Sequence, residues 1–100
     1  MKAIVEVLEE LKTATVPVAR AIHKGSHFKV LILGFNKGMI MKDHQTHLST
    51  KLTVLSGSVY YIENGHETLA NQYDEIEIPV DITHSVKAIE DSLCLLTQGS

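Results

Sequence analysis

Cysteine occurs once in the 100 residues, at Cys94, so no intrachain disulfide can staple the fold. Cys94 lies in the apolar run Leu93-Cys94-Leu95-Leu96, where it reads as a small buried hydrophobe rather than a reactive thiol. Long apolar runs are missing as well. Glu6, Glu9 and Glu10 interrupt the N-terminal stretch, and nothing approaches the roughly twenty apolar residues of a membrane span. Neither a secretory leader nor a transmembrane helix is expected, and the cytoplasm is the expected location. Basic residues are few and scattered: nine Lys and Arg stand against twelve Asp and Glu, for a net charge of -3. Phosphate neutralisation needs clustered cations, so nucleic acid is not an expected partner, and no basic amphipathic face suggests a membrane surface. No repeat, linker or low-complexity tract divides the chain.

What remains is enough for one folded domain. The hydrophobic fraction is 44%, far above that of a disordered chain, although a domain of this size buries only a modest core. Residues 2–12 carry Ile4, Leu8 and Leu11 at helical spacing, with Val5 and Val7 widening the stripe. Thr13, Thr15 and Pro17 end it. An N-terminal helical segment over 1–15 and a β domain over 16–100 follow.

From Val16 onward the pattern is β. Val18–His23 and Phe28–Phe35 flank the turn Lys24-Gly25-Ser26, and Asn36-Lys37-Gly38 makes the next turn. Lys51–Leu55 and Ser58–Ile62 are joined through Gly57. Asn64-Gly65 is the strongest hairpin signal, because both central residues of that turn favour positive φ, and His66–Ala70 returns from it. Glu75–Ile78, Ser85–Ile89 and Ser92–Thr97 complete the set. Many short strands without long helices between them exclude a parallel sheet and predict an antiparallel sandwich or barrel.

Strand parity then selects candidates. His44 shares parity with Thr46, Thr50, Leu52 and Val54, while Lys51 and Thr53 take the other face. His84 and Val86 alternate with Ser85 and Lys87, and Ile76 and Ile78 with Glu75 and Glu77. His44 and His84 are therefore expected to point inward. His47 has the opposite parity and joins them only if the chain bends between residues 45 and 49. Leu55, Val59 and Tyr61 take outward parity. A partner subunit, giving the expected homodimer, the N-terminal helix, or both together would cover them. His23, His27 and His66 flank turns and read as solvated, and Asp74 as a turn anchor.

Gly38, His44 and Gly57 fall at the spacings of the first motif of the cupin family. Asp74, Pro79 and His84 fall at those of the second. The chain resembles small single-domain cupins over about residues 28–97. The resemblance implies an all-β, antiparallel jelly-roll barrel of the RmlC-like kind with a short N-terminal helix. Thr46 and Thr50 stand where metal-binding cupins usually carry a histidine and a glutamate. Tyr73 and Asp81 replace turn glycines of the second motif.

Two readings of the site follow. In one, His44, His47 and His84 with water make an open three-ligand centre for a transition metal such as Zn, Fe, Ni or Cu, with Asp43 and Asp81 orienting the rings. In the other, His44, Thr46, Thr50, Leu52 and His84 line a metal-free pocket for a small molecule, and His47 stays at the surface. No nucleophile elbow or phosphate-cradling glycine loop is present. The expected function is small-ligand binding in the barrel. A metal-dependent dioxygenase or isomerase, activities the resemblance implies, and a metal-free regulatory module are the alternatives.

Overall fold

The computed structural model describes residues 1–99, and at Asp43 and His44 the backbone alone. Among the described residues one helix, α1 (Lys2–Leu11), precedes nine strands: β1 (Val18–Lys24), β2 (Phe28–Phe35), β3 (Ile40–His44), β4 (Ser49–Ser56), β5 (Val59–Glu63), β6 (His66–Ala70), β7 (Glu75–Ile78), β8 (His84–Ala88) and β9 (Ser92–Gly99). After the β1–β2 hairpin the chain passes back and forth between two sheets. One has the order β1-β2-β9-β4-β7 and the other β3-β8-β5-β6. Every pairing is antiparallel. The Asn64-Gly65 turn takes φ of 51° and 74°, as a tight hairpin requires.

The main core lies between the inner faces of the sheets. Leu33, Phe35, Leu52, Val54, Val59, Tyr61, Ile78, Val86 and Cys94 are buried there. A second, smaller core lies under α1 on the outer face of the five-stranded sheet, where Val7 and Leu11 meet Val18 and Ile32. Gly34 sets that approach: a Cβ there would lie 2.5 Å from Val7 Cγ1 and 2.8 Å from Leu11 Cδ1. The Asn36 side-chain amide donates to the Leu11 carbonyl at 2.7 Å, satisfying one of the acceptors left open at the helix end. Ile4, Val7 and Leu11 form the packed stripe, whereas Leu8 and Val5 are exposed. Val7 thus takes the place expected of Leu8 in the stripe, because spacings of three and four admit both faces and the hollow at Gly34 receives Val7 and Leu11.

The outward assignment of Val59 and Tyr61 is corrected: they are 0% and 4% exposed and belong to the main core. Parity counted from β4 does not survive the passage through Gly57, where the chain leaves one sheet and enters the other. Leu55 does face outward and packs against the cluster under α1. The surface that suggested a partner subunit is in this way largely internal or helix-covered.

The two residues that replace motif glycines keep a glycine-like backbone. Tyr73 has φ 73° and Asp81 has φ 61°. Asp74 anchors the first of these turns by accepting the Asn71 amide at 2.8 Å. His23, His27 and His66 are exposed, and Cys94 is buried, as expected.

Candidate functional site

Cross-strand register arranges the barrel interior in rows. On the five-stranded sheet, Lys29 pairs with Gln98, Gln98 with Thr50, and Thr50 with Ile78. The next row is Leu31, Leu96, Leu52 and Ile76, and the one beyond is Leu33, Cys94 and Val54. The facing sheet repeats the gradient. Its first row is residue 44, His84, Glu63 and His66. Met41, Val86, Tyr61 and Thr68 follow. A polar layer therefore closes one end of an apolar stack. Both polar rows belong to the same end, because residues 45–48 connect position 44 to β4 and residues 79–83 connect Ile78 to His84.

Position 44 reaches its place opposite His84 through an irregularity in β3. Met41 pairs with Val86, yet the next pair is 44 with 84, so three steps on β3 answer two on β8. Without that extra residue, position 43 would stand across from His84. The side chain of His44, which the sequence assigned to both candidate sites, lies outside the described residues, as does that of Asp43.

The two loops beside this layer are tied together. The Asp81 amide donates to the Thr46 carbonyl at 2.8 Å. The Gln45 side-chain amide donates to the Thr83 hydroxyl at 3.1 Å, and His47 Nδ1 lies 2.6 Å from Asp81 Oδ1. The two motif segments, far apart in sequence, are thus bonded to one another. Thr46 and Thr50 are buried and share an acceptor, the Leu48 carbonyl, at 3.3 and 2.8 Å. Leu52 is fully buried in the row beneath. His47 is on the outside, its side chain 83% exposed and engaged by Asp81, so the bend that would carry it inward is not made.

His84 is 2% exposed. Its Nδ1 lies 3.1 Å from the Ile82 carbonyl oxygen, which can only accept, so this nitrogen carries a proton and donates it there. The ring stacks on Tyr61 with centroids 5.7 Å apart. The Tyr61 hydroxyl donates to Glu63 Oε1 at 2.7 Å. Burial, and then the neighbouring Glu63 carboxylate, hold the phenol well above its ordinary range. Tyr61 and Glu63 were missed in the sequence. The signal was present in the alternation Val59-x-Tyr61-x-Glu63 running into the Asn64-Gly65 turn, which fixes β5 independently of β4.

The donor chemistry of a metal centre is not assembled by the described side chains. Among the described residues no group of three His, Cys, Asp or Glu side chains converges. The Thr46 and Thr50 hydroxyls are committed to the Leu48 carbonyl, and His47 lies on the surface.

A cleft of about 490 Å³ opens at this end of the barrel. Its wall is Lys29, Leu31, Leu33, Leu96 and Gln98 on one side, and Met41 with the 45–48 loop on the other. The volume is in the range of small-molecule sites. Thr46 lines it, whereas Thr50 is buried behind Gln98, whose amide donates to the Thr50 hydroxyl at 3.3 Å.

Solved structures share this arrangement of strands. An RmlC-like cupin protein from Desulfovibrio desulfuricans superposes with a TM-score of 0.78 at 22% identity, over 84% of this chain and 82% of that one. The barrel is a cupin fold. A cupin superfamily protein from Desulfitobacterium hafniense gives a TM-score of 0.80 at 12% identity, over 85% and 78% of the two chains. A Klebsiella pneumoniae protein with a double-stranded β-helix domain gives 0.80 at 17%, over 93% and 85%. No protein-family model matches the sequence, and no curated protein matches it. At these identities the likeness establishes the cupin architecture and leaves the chemistry to this chain's own residues. Among the described residues no helix is long and apolar enough to cross a membrane.

Proposed function

We propose that this cupin-fold domain binds a small molecule at the mouth of its barrel, in the cleft beside the polar layer. One observation carries the reading: the 45–48 loop of the first motif, held by its bonds to residues 81–83 of the second, borders a cleft whose floor is apolar and whose edge carries polar side chains. Apolar walls supply the binding energy and a few polar groups fix orientation. Thr46 sits on the wall, whereas Thr50, Leu52 and His84 are buried in the interior and do not line the cleft.

A thermal-shift screen of small metabolites tests this. A ligand that binds only the folded state stabilises it by mass action, about 2.7 kcal/mol at a hundred times its Kd. The expected result is a compound that raises Tm in the native protein and loses its effect in Leu31→Trp, which fills the cleft while circular dichroism stays native. A shift that persists in Leu31→Trp would place the ligand elsewhere and overturn the reading.

The alternative, a transition-metal protein with dioxygenase or isomerase activity, has one supporting observation: position 44 is the register partner of His84. Elemental analysis of tag-free protein purified without chelator separates the two. About one transition-metal ion per chain, lost in His84→Ala, supports the metal reading. No metal before or after reconstitution removes it.

A further inference from the structure

Resting on the proposed ligand site, we infer that its ligand is a small amphipathic carboxylic acid whose carboxylate is received by Lys29. The argument starts from the charge on the cleft wall. Lys29 is half-buried and shares the inward parity of Leu31 and Leu33. It lines the cleft, and among the described residues its ammonium forms no salt bridge. The other titratable side chain on the described lining, His47, is bonded to Asp81. No carboxylate appears among the described lining residues. The wall thus presents a positive group with no anion of its own, against a floor of Leu31, Leu33, Met41 and Leu96.

A cation partly withdrawn from water gains most from a partner that is both charged and hydrogen-bonding. Gln98 stands across from Lys29 in the register, and its amide is steadied by the Thr50 hydroxyl. The second N–H of that amide is a donor for the same anion. An alcohol would leave the Lys29 charge unmatched, and an amine would repel it. The apolar floor adds a chain-length preference, because each buried CH₂ contributes about 0.8 kcal/mol.

The experiment is competition against 8-anilinonaphthalene-1-sulfonate, itself an amphipathic anion, followed by fluorescence on the whole chain. Hexanoate, 1-hexanol and hexylamine are compared as competitors. Hexanoate is expected to displace the dye at a concentration at least about tenfold below that of hexanol, with hexylamine weakest. Lys29→Met is expected to remove the gap between hexanoate and hexanol while hexanol still competes, and Lys29→Arg to keep it. Equal competition by hexanoate and hexanol in the native protein overturns the carboxylate assignment and leaves the ligand site standing. A hexanoate preference that persists in Lys29→Met also overturns it. If none of the three compounds competes and Leu31→Trp binds the dye as the native protein does, the ligand site itself fails.

Discussion

His47 Nδ1 and Asp81 Oδ1 meet at 2.6 Å across two loops separated by thirty-four residues. His47 lines the cleft, and both partners are largely exposed, at 83% and 61%. Its position makes it conspicuous, but solvent screening limits what it contributes.

His47→Ala is accordingly expected to lower stability by less than about 1 kcal/mol, as exposed pairs do. Urea unfolding monitored by circular dichroism checks this. A loss above about 2 kcal/mol would show that the pair organises the two loops rather than decorating them.

Tyr73 carries φ 73° on a bulky side chain, where an L-residue other than glycine is strained by roughly 1 kcal/mol or more. The side chain is 74% exposed, so little packing is lost on removing it. Tyr73→Gly is expected to raise stability by about 0.5–1 kcal/mol, the relief of strain exceeding the entropy that glycine adds to the unfolded chain. Tyr73→Val, with its branched Cβ, is expected to lower it. Denaturation midpoints of the two variants measured together provide the check, and a destabilised Tyr73→Gly would contradict the strain argument.

Alkaline solution is expected to weaken the fold in a defined window. Burial pushes the Cys94 thiol from 9.0 up to about 12, and Tyr61 is raised from 10.0 in the same direction by burial and by Glu63. Between the unfolded and folded values the unfolded chain releases a proton that the folded chain keeps. Stability is therefore whole below about pH 9 and falls as pH rises past it, by at most about 1.4 kcal/mol per pH unit for each group. Unfolding titrations at pH 7 to 11 should show this slope, and Cys94→Ala should remove its first part. A slope that begins below pH 8, or one unchanged in Cys94→Ala, would assign it to other groups. The same burial predicts a thiol silent to disulfide reagents until the protein unfolds.

Parity held within β4 and β7. Ile76 and Ile78 face in while Glu75 and Glu77 face out, the latter two beside Lys51 at 3.6 and 3.7 Å. Leu52 and Val54 are fully buried, as their alternation with Lys51 and Thr53 predicts. It failed when carried from Leu55 through Gly57 to Val59 and Tyr61, since a change of sheet resets which side is inside. The helix stripe was misplaced for a related reason. With apolar residues at 4, 5, 7, 8 and 11, the spacing admits more than one face, and the hollow at Gly34 selects Val7 and Leu11. The site was legible as two segments that should converge. Neither the cleft nor Lys29 was legible, because a lone lysine in a strand carries no signal until its neighbours across the sheet are known.

The sequence by itself determined the all-β architecture, most strand limits and the hairpin at Asn64-Gly65, since these follow from local alternation and turn chemistry. Tertiary structure alone decided that the two motif loops are tied at Asp81, that an extra residue in β3 brings position 44 opposite His84, and that Lys29 stands at an apolar cleft without a counter-ion among the described residues. Those facts depend on register and on how two sheets close over one another. Both are set by contacts between residues far apart in the chain, which local periodicity does not encode.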